Sequence, residues 1–205
     1  FAAPSLFQAV AEQAPKKIVG FSPRELVNTA WAYSKAEPGA ANRYLYKVLA
    51  RECRMKIALF STQDLAETVW SFTLAKVEAQ SMFRAFAWEA EGKIEKFSAH
   101  DMARLLWSYS TLNFYAPDLF YAAAEEAATK ISAFTPRELS HIAWAYSRDW
   151  ESSKPSRKLF PAIAGAARMK VAKFDAQGLS TIALAFATVD PEAEAPALFE
   201  AVEQE

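Results

Sequence analysis

The 205-residue chain has few of the residues that staple or punctuate a fold. Its one cysteine, Cys53, excludes a disulfide framework and a cysteine-based metal cluster within the chain, and fits a reducing compartment. Two histidines, His100 and His141, are too few for a usual zinc site. With only five glycines there is no Gly-rich phosphate loop, and neither His-Glu-x-x-His nor Gly-x-Ser-x-Gly occurs. Apolar runs such as Phe120 to Ala124 fall far short of the ~18 residues expected of a membrane span. No segment sustains a period-two alternation, so strands are not expected. Charges of neither sign dominate: the net charge is −1 and the pI about 6.2, whereas nucleic-acid binders often carry a basic excess. No initiator methionine or basic leader is seen, so a processed product, a fragment or part of a longer protein is expected.

What is abundant is apolar material, 52% of the residues, which supports a sizeable core. It is distributed with a period. Phe21, Phe60, Phe97, Phe134 and Phe174 are separated by 39, 37, 37 and 40 residues, and each opens a similar block. At +5 from these anchors stand Leu26, Leu65, Met102, Leu139 and Leu179; at +12, Tyr33, Phe72, Tyr109, Tyr146 and Phe186. At +10 stand Trp31, Trp70, Trp107 and Trp144, with Leu184 in the last copy. Upstream, Phe7, Tyr46, Phe83, Phe120 and Phe160 lie at −14, alanine recurs at −10 and alanine or Cys53 at −7, and Ile or Val at −3. Lysine occupies −4 throughout, as Lys17, Lys56, Lys93, Lys130 and Lys170. Offsets differing by 3, 4, 7 and 11 are those of one helix face. Cys53, in an alanine position, reads as a packed thiol.

Each anchor is followed by a helix start. Ser22, Ser61, Ser98 and Thr135 are trailed by an acid at the third helical position, Glu25, Asp64, Asp101 and Glu138, the pattern of a capping box. The fifth copy has Asp175 followed by Gly178, a weaker start. The fold class is therefore all-α: a right-handed α-solenoid of tandem helix-turn-helix repeats of 37 to 40 residues, forming one array over 1–205. Helices A, about sixteen residues long, start near 22, 61, 98, 135 and 175. A leading helix B covers 4–19, and a truncated last helix B covers 196–205. Loops are marked by Pro38 and Gly39, Pro117, Ser152 to Pro155, and Pro191. Both ends present apolar repeat faces, so further chain or a partner is expected to cover them.

On helix A the +5, +9 and +12 positions face inward and the tryptophans at +10 lie roughly opposite, which reads as packing between stacked repeats. The positions at +3, +7 and +14 are polar and vary between copies. They are Arg24, Asn28 and Lys35; Gln63, Glu67 and Leu74; His100, Arg104 and Thr111; Arg137, His141 and Arg148; Gln177, Thr181 and Thr188. Five Arg or Lys and one acid give the stripe a charge of about +4 against a whole-chain −1. A constant framework with a variable polar stripe is the arrangement of one-unit-per-repeat RNA recognition. No residue set calls for catalysis, a metal or a cofactor, so a binding protein and not an enzyme is expected.

The blocks FSPRELVNTAWAYSKA and FTPRELSHIAWAYSRD resemble the signature of octotricopeptide repeats, the OPR family, whose degenerate relatives accompany RAP domains in organellar proteins. The resemblance covers nearly the whole chain in five copies, with Leu184 and Gly178 as departures, and no RAP domain lies among the repeats. It implies a paired-helix superhelix that binds single-stranded RNA in a mitochondrion or chloroplast, in RNA processing, stability or translation. It also implies an alternative, a structural or assembly subunit of a large organellar complex such as a ribosome, gripping protein partners through its groove and open ends.

Overall fold

The computed structural model describes residues 4–36, 42–148 and 159–189. The expected loop markers Pro38, Gly39, Ser152 to Pro155 and Pro191, and the last helix B at 196–205, lie outside the described residues. Those described are all-helical, and neighbouring helices pack in sequence order. They form α1 (Pro4–Lys17), α2 (Pro23–Ala36), α3 (Arg43–Met55), α4 (Thr62–Leu74), α5 (Gln80–Glu91), α6 (Ala99–Thr111), α7 (Pro117–Thr129), α8 (Pro136–Ser147), α9 (Leu159–Arg168) and α10 (Ala176–Val189). Odd-numbered helices are the B helices and even-numbered ones the A helices. Among the described helices none is long and apolar enough to cross a membrane.

The chain divides into two compact units, Phe1–Gly92 and Lys93–Glu205. In the first, α2 packs on α4, and α1 and α5 both pack on α3. In the second, α6 and α10 both pack on α8, and α7 packs on α9. A helices thus stack on A helices and B helices on B helices within each unit. The inward register holds: Leu26, Leu65, Met102 and Leu139 are fully buried, as are Phe72, Tyr109 and Tyr146.

Every helix B runs into a single 3-10 turn, at Ile18–Gly20, Ile57–Leu59, Ile94–Lys96, Ile131–Ala133 and Val171–Lys173. In each, the anchor phenylalanine's N–H closes the turn on the carbonyl three residues back, and the anchor itself is extended. The caps then start helix A. Ser61 with Asp64 and Thr135 with Glu138 form reciprocal capping boxes, and Ser22 with Glu25 makes the same two bonds. The helices A with both ends among the described residues, α4, α6 and α8, are 12 or 13 residues long, shorter than the expected sixteen. In α4 and α6 the reason is a left-handed residue at +16, Lys76 (φ 55°) and Asn113 (φ 50°). Beyond it Val77 and Phe114 donate back to the carbonyls of Phe72 and Tyr109, the Schellman pattern that ends a helix.

Aromatic pairs close four of the hairpins. The rings at −14 and +12 meet edge-on in Phe7–Tyr33, Tyr46–Phe72, Phe120–Tyr146 and Phe160–Phe186, with centroids 4.9–5.2 Å apart. Such pairs contribute roughly 0.5–1.5 kcal/mol beyond their burial. Where one member is tyrosine its hydroxyl donates to a helix carbonyl: Tyr33 to Phe7, Tyr146 to Phe120, and Tyr46 to Ala30. Burial pushes the Tyr46 and Tyr146 phenols above the usual tyrosine range, so they stay protonated donors.

Gly178 is no mere lapse in a cap. Its N–H still bonds Asp175 Oδ1 at 2.7 Å, and its carbonyl accepts from Ser140 Oγ of α8. A Cβ there would lie 2.9 Å from Asp175 Oδ1, 3.1 Å from Phe174 Cδ1 and 3.2 Å from Ser140 Oγ. The glycine lets α10 approach α8 closely, which an acid at this position would prevent. Gly178→Glu, which restores the pattern of the other copies on paper, should therefore lower the melting temperature; a variant as stable as the parent would refute this packing account.

The −4 lysines carry the junctions between repeats. Lys56 Nζ donates to the carbonyls of Val19 and Phe21, both at 2.6 Å; Lys130 to those of Glu95 and Phe97, at 2.6 and 3.2 Å; Lys170 to those of Ser132 and Phe134, at 2.9 and 2.5 Å. Each reaches the −2 and anchor carbonyls of the preceding copy. Glu52 and Glu126, one turn earlier, hold Lys56 and Lys130 at 3.1 and 2.7 Å. Charged hydrogen bonds of this kind are worth about 1.5–3 kcal/mol each before allowance for partial exposure. Lys130→Met is expected to destabilise the chain by about 1–2 kcal/mol in urea melts. The exposed Lys96→Met should change it by less than about 0.5 kcal/mol. Equal effects would show that the junction bonds contribute nothing.

Candidate nucleic-acid interface

At ~100° per residue the +3, +7, +10 and +14 positions fall within about 60° of one another. The tryptophans therefore share the face of the variable stripe. The expectation that they pack in the core is corrected: none is buried, Trp31 is 45% exposed, and Leu184, their substitute, is 61% exposed. At +6, +9 and +11 Val27, Ala30, Ala66, Ala103, Ala143, Ala145 and Ala185 are buried, whereas the +10 side chains between them are turned outward. Two of the rings instead meet across the seam between α6 and α8. Trp107 of α6 meets Trp144 of α8 with centroids 6.0 Å apart and planes 31° apart. It also meets His141 at 5.8 Å. The signal for this was present in the spacing, since +10 is three residues beyond +7 and four before +14.

Of the stripe residues, Arg24, Asn28, Lys35, Gln63, His100, Thr111, Arg137, Arg148, Gln177 and Thr188 are exposed. Glu67, Leu74, Arg104, His141 and Thr181 are half-buried. The seams bring several together. Arg24 of α2 donates to Asp64 at 3.2 Å and Glu67 at 2.8 Å, both on α4. These bonds, to Glu67 above all, raise the Arg24 pKa further. His100 Nδ1 of α6 lies 2.9 Å from Glu138 of α8. Burial alone would raise the Glu138 carboxyl, but the Thr135 N–H and His100 hold it below the usual carboxylate range. Arg148 spans Asn113 Oδ1 at 2.7 Å and the face of Trp144 at 5.2 Å. It also lines a pocket of about 270 Å³ with Tyr109, Phe114 and Tyr115. Thr111 and Thr188 turn their hydroxyls back onto the carbonyls of Trp107 and Leu184.

The electrostatic picture is more even than a count of the stripe alone. The capping acids Asp64 and Glu138 border it, and Arg24 is shared between two carboxylates. His141 adds no charge near neutrality: burial, with Arg137 alongside, lowers its pKa to about 4. Cys53 is buried with its thiol pKa pushed up, as a packed thiol requires. No protein-family model matches the chain, and no curated protein matches it in sequence.

The folded His141 binds its proton more weakly than the unfolded residue, about 4 against 6.5, so acid favours the unfolded chain. Stability contributed by this group is complete above pH 6.5 and is lost as pH falls toward 4. An NMR titration should find the imidazole still neutral at pH 5.5, and melts of His141→Gln should depend less on pH across this window than those of the parent. A normal midpoint near 6.5 would contradict the buried, stacked placement.

Proposed function

We propose that this chain is a right-handed α-solenoid of OPR-like repeats that binds single-stranded RNA along its A-helix face, in organellar RNA metabolism or translation. The carrying observation is that the tryptophans, partly exposed, share on each A helix the face of the variable polar side chains. A single strand offers bases to stack and phosphates to neutralise, and an indole row beside Arg, Asn, Gln and Thr meets both needs; stacking on aromatics is worth roughly 1–3 kcal/mol per base. In this reading Trp107 and Trp144 form a stacking platform. Arg104, Arg137 and Arg148 contact phosphate. Asn28, Gln63, His100, His141, Gln177, Thr111 and Thr181 vary the base-edge contacts, with Arg24, Lys35 and Glu67 tuning the first seam. The solenoid assignment is supported by the identical lysine and aromatic contacts at successive junctions within each unit. The right hand, the mitochondrial or chloroplast location and the absence of catalysis belong to the same proposal and rest on the repeat pattern.

A second reading, a structural or assembly subunit holding protein partners, is favoured by the charge pairing on the A face and by exposed apolar side chains such as Val19, Leu59 and Met169. Titration of a labelled single-stranded RNA decides between them. Trp144→Ala is expected to weaken binding about tenfold or more, with little change in salt dependence. Arg104→Glu plus Arg137→Glu should both weaken binding and flatten its salt dependence. Unchanged affinity in both variants would remove the A face as the RNA site, and obligate co-purification with protein would favour the second reading.

A further inference from the structure

The outward side of the first unit carries a second set of cations that the A-face reading does not use. On α3, Arg43, Lys47, Arg51 and Arg54 are all exposed and follow one another at spacings of 4, 4 and 3 residues, which puts them on one helix face over about 16 Å. With Lys76, they line a cleft of about 800 Å³ whose other wall is the turn 77–79 and the start of α5. Among the described residues Glu78 is the one acid on the cleft wall. Among the described residues none of the five cations is held by an ion pair or a side-chain hydrogen bond. Helix α5 opens into the cleft at Gln80 and Ser81, and its N-cap Ala79 supplies no side-chain acceptor. Its first-turn N–H groups add positive potential to the same space.

This arrangement is not part of the repeat framework. The equivalent positions are Pro4, Gln8, Glu12 and Pro15; Gln80, Arg84, Trp88 and Glu91; Pro117, Tyr121, Glu125 and Ala128; and Arg157, Pro161, Gly165 and Arg168, so no other copy has more than two cations there. It is also unfavourable to the folded chain alone. Like charges four residues apart destabilise a helix, and Arg43 sits in the first turn, against the helix dipole. A polyanion in the cleft would reverse both penalties. A single small anion would not need cations spread over three turns.

We propose that this cleft is a second RNA site, binding the phosphodiester backbone of a strand along α3 through Arg43, Lys47, Arg51 and Arg54, with Lys76 facing them. The proposal shares only its ligand class with the A-face reading, because the two sites use different helices and different residues. Contact is to phosphate and therefore without base preference.

The test uses the full chain, a labelled uridine homopolymer and a salt series. Replacing Arg43, Lys47, Arg51 and Arg54 together by alanine should weaken binding at least tenfold at low salt. It should also reduce the slope of log affinity against log salt by about 0.7 for each phosphate no longer neutralised, up to about 3. Circular dichroism should show an unchanged helical content, and thermal melts a midpoint no lower than the parent's. The double variant Lys47→Ala with Arg51→Ala should show the same effect at about half the slope change. If both variants keep parental affinity and slope, the cleft is not an RNA site, whatever Arg104→Glu plus Arg137→Glu does. If only the cleft variants lose binding, the cleft stands and the A face falls. A duplex RNA competing as well as the homopolymer would assign the backbone contact to double-stranded RNA. Polyglutamate displacing the homopolymer at equal concentration would overturn the proposal in favour of an acidic protein segment.

Discussion

A 3-10 turn leaves carbonyls that no helix satisfies, and in this chain the ammonium of the next repeat's lysine supplies donors to two of them. Lys56, Lys130 and Lys170 each bind the −2 and anchor carbonyls of the copy before, so the position of one repeat is fixed by the unpaired backbone of its neighbour. A helix-to-helix contact made only of alanine and leucine could slide by a turn at little cost. A charged donor that must meet two particular oxygens cannot. The offset between successive A helices follows from this, and with it the alignment of their outward side chains, Trp107 over Trp144 and Arg24 over Glu67.

The two faces of the first unit handle charge in contrasting ways. On the A side Arg24 is met by Glu67 and by Asp64, which also accepts from Ser61 in the cap of α4. Recognition there would draw on shape and stacking more than on net charge. On the B side the cations of α3 stand unbalanced. A whole-chain charge near zero therefore conceals a concentration of positive potential along α3 of the first unit.

Much of the fold was legible in the sequence because repetition averages out local ambiguity. The anchors, the inward +5 and +12 residues and the capping pairs at Ser61 and Thr135 all sit where the period places them, and helices A begin within a residue of the expected starts. The tryptophans were misread because large apolar side chains are ordinarily buried, and the period alone cannot say how much of a ring at +10 stays covered. The role of the −4 lysines was invisible for another reason. A charged residue repeated at a helix end reads as solvation or a dipole effect, and its real targets are backbone carbonyls 33 to 38 residues away. Gly178 looked like a missing cap until the proximity of Ser140 on another helix was known.

The aromatic pairs have a final consequence. When the hydroxyl is on helix A, as in Tyr33 and Tyr146, it ties that helix to its own hairpin partner; when it is on helix B, as in Tyr46, it reaches back to Ala30 in the preceding copy. One oxygen atom, moved from one ring to the other, reassigns a bond from inside a repeat to the boundary between two. The Phe160–Phe186 pair has no such oxygen. Transient opening, and with it amide exchange, should begin at that hairpin and be slowest where Tyr46 and Lys56 both cross the first boundary.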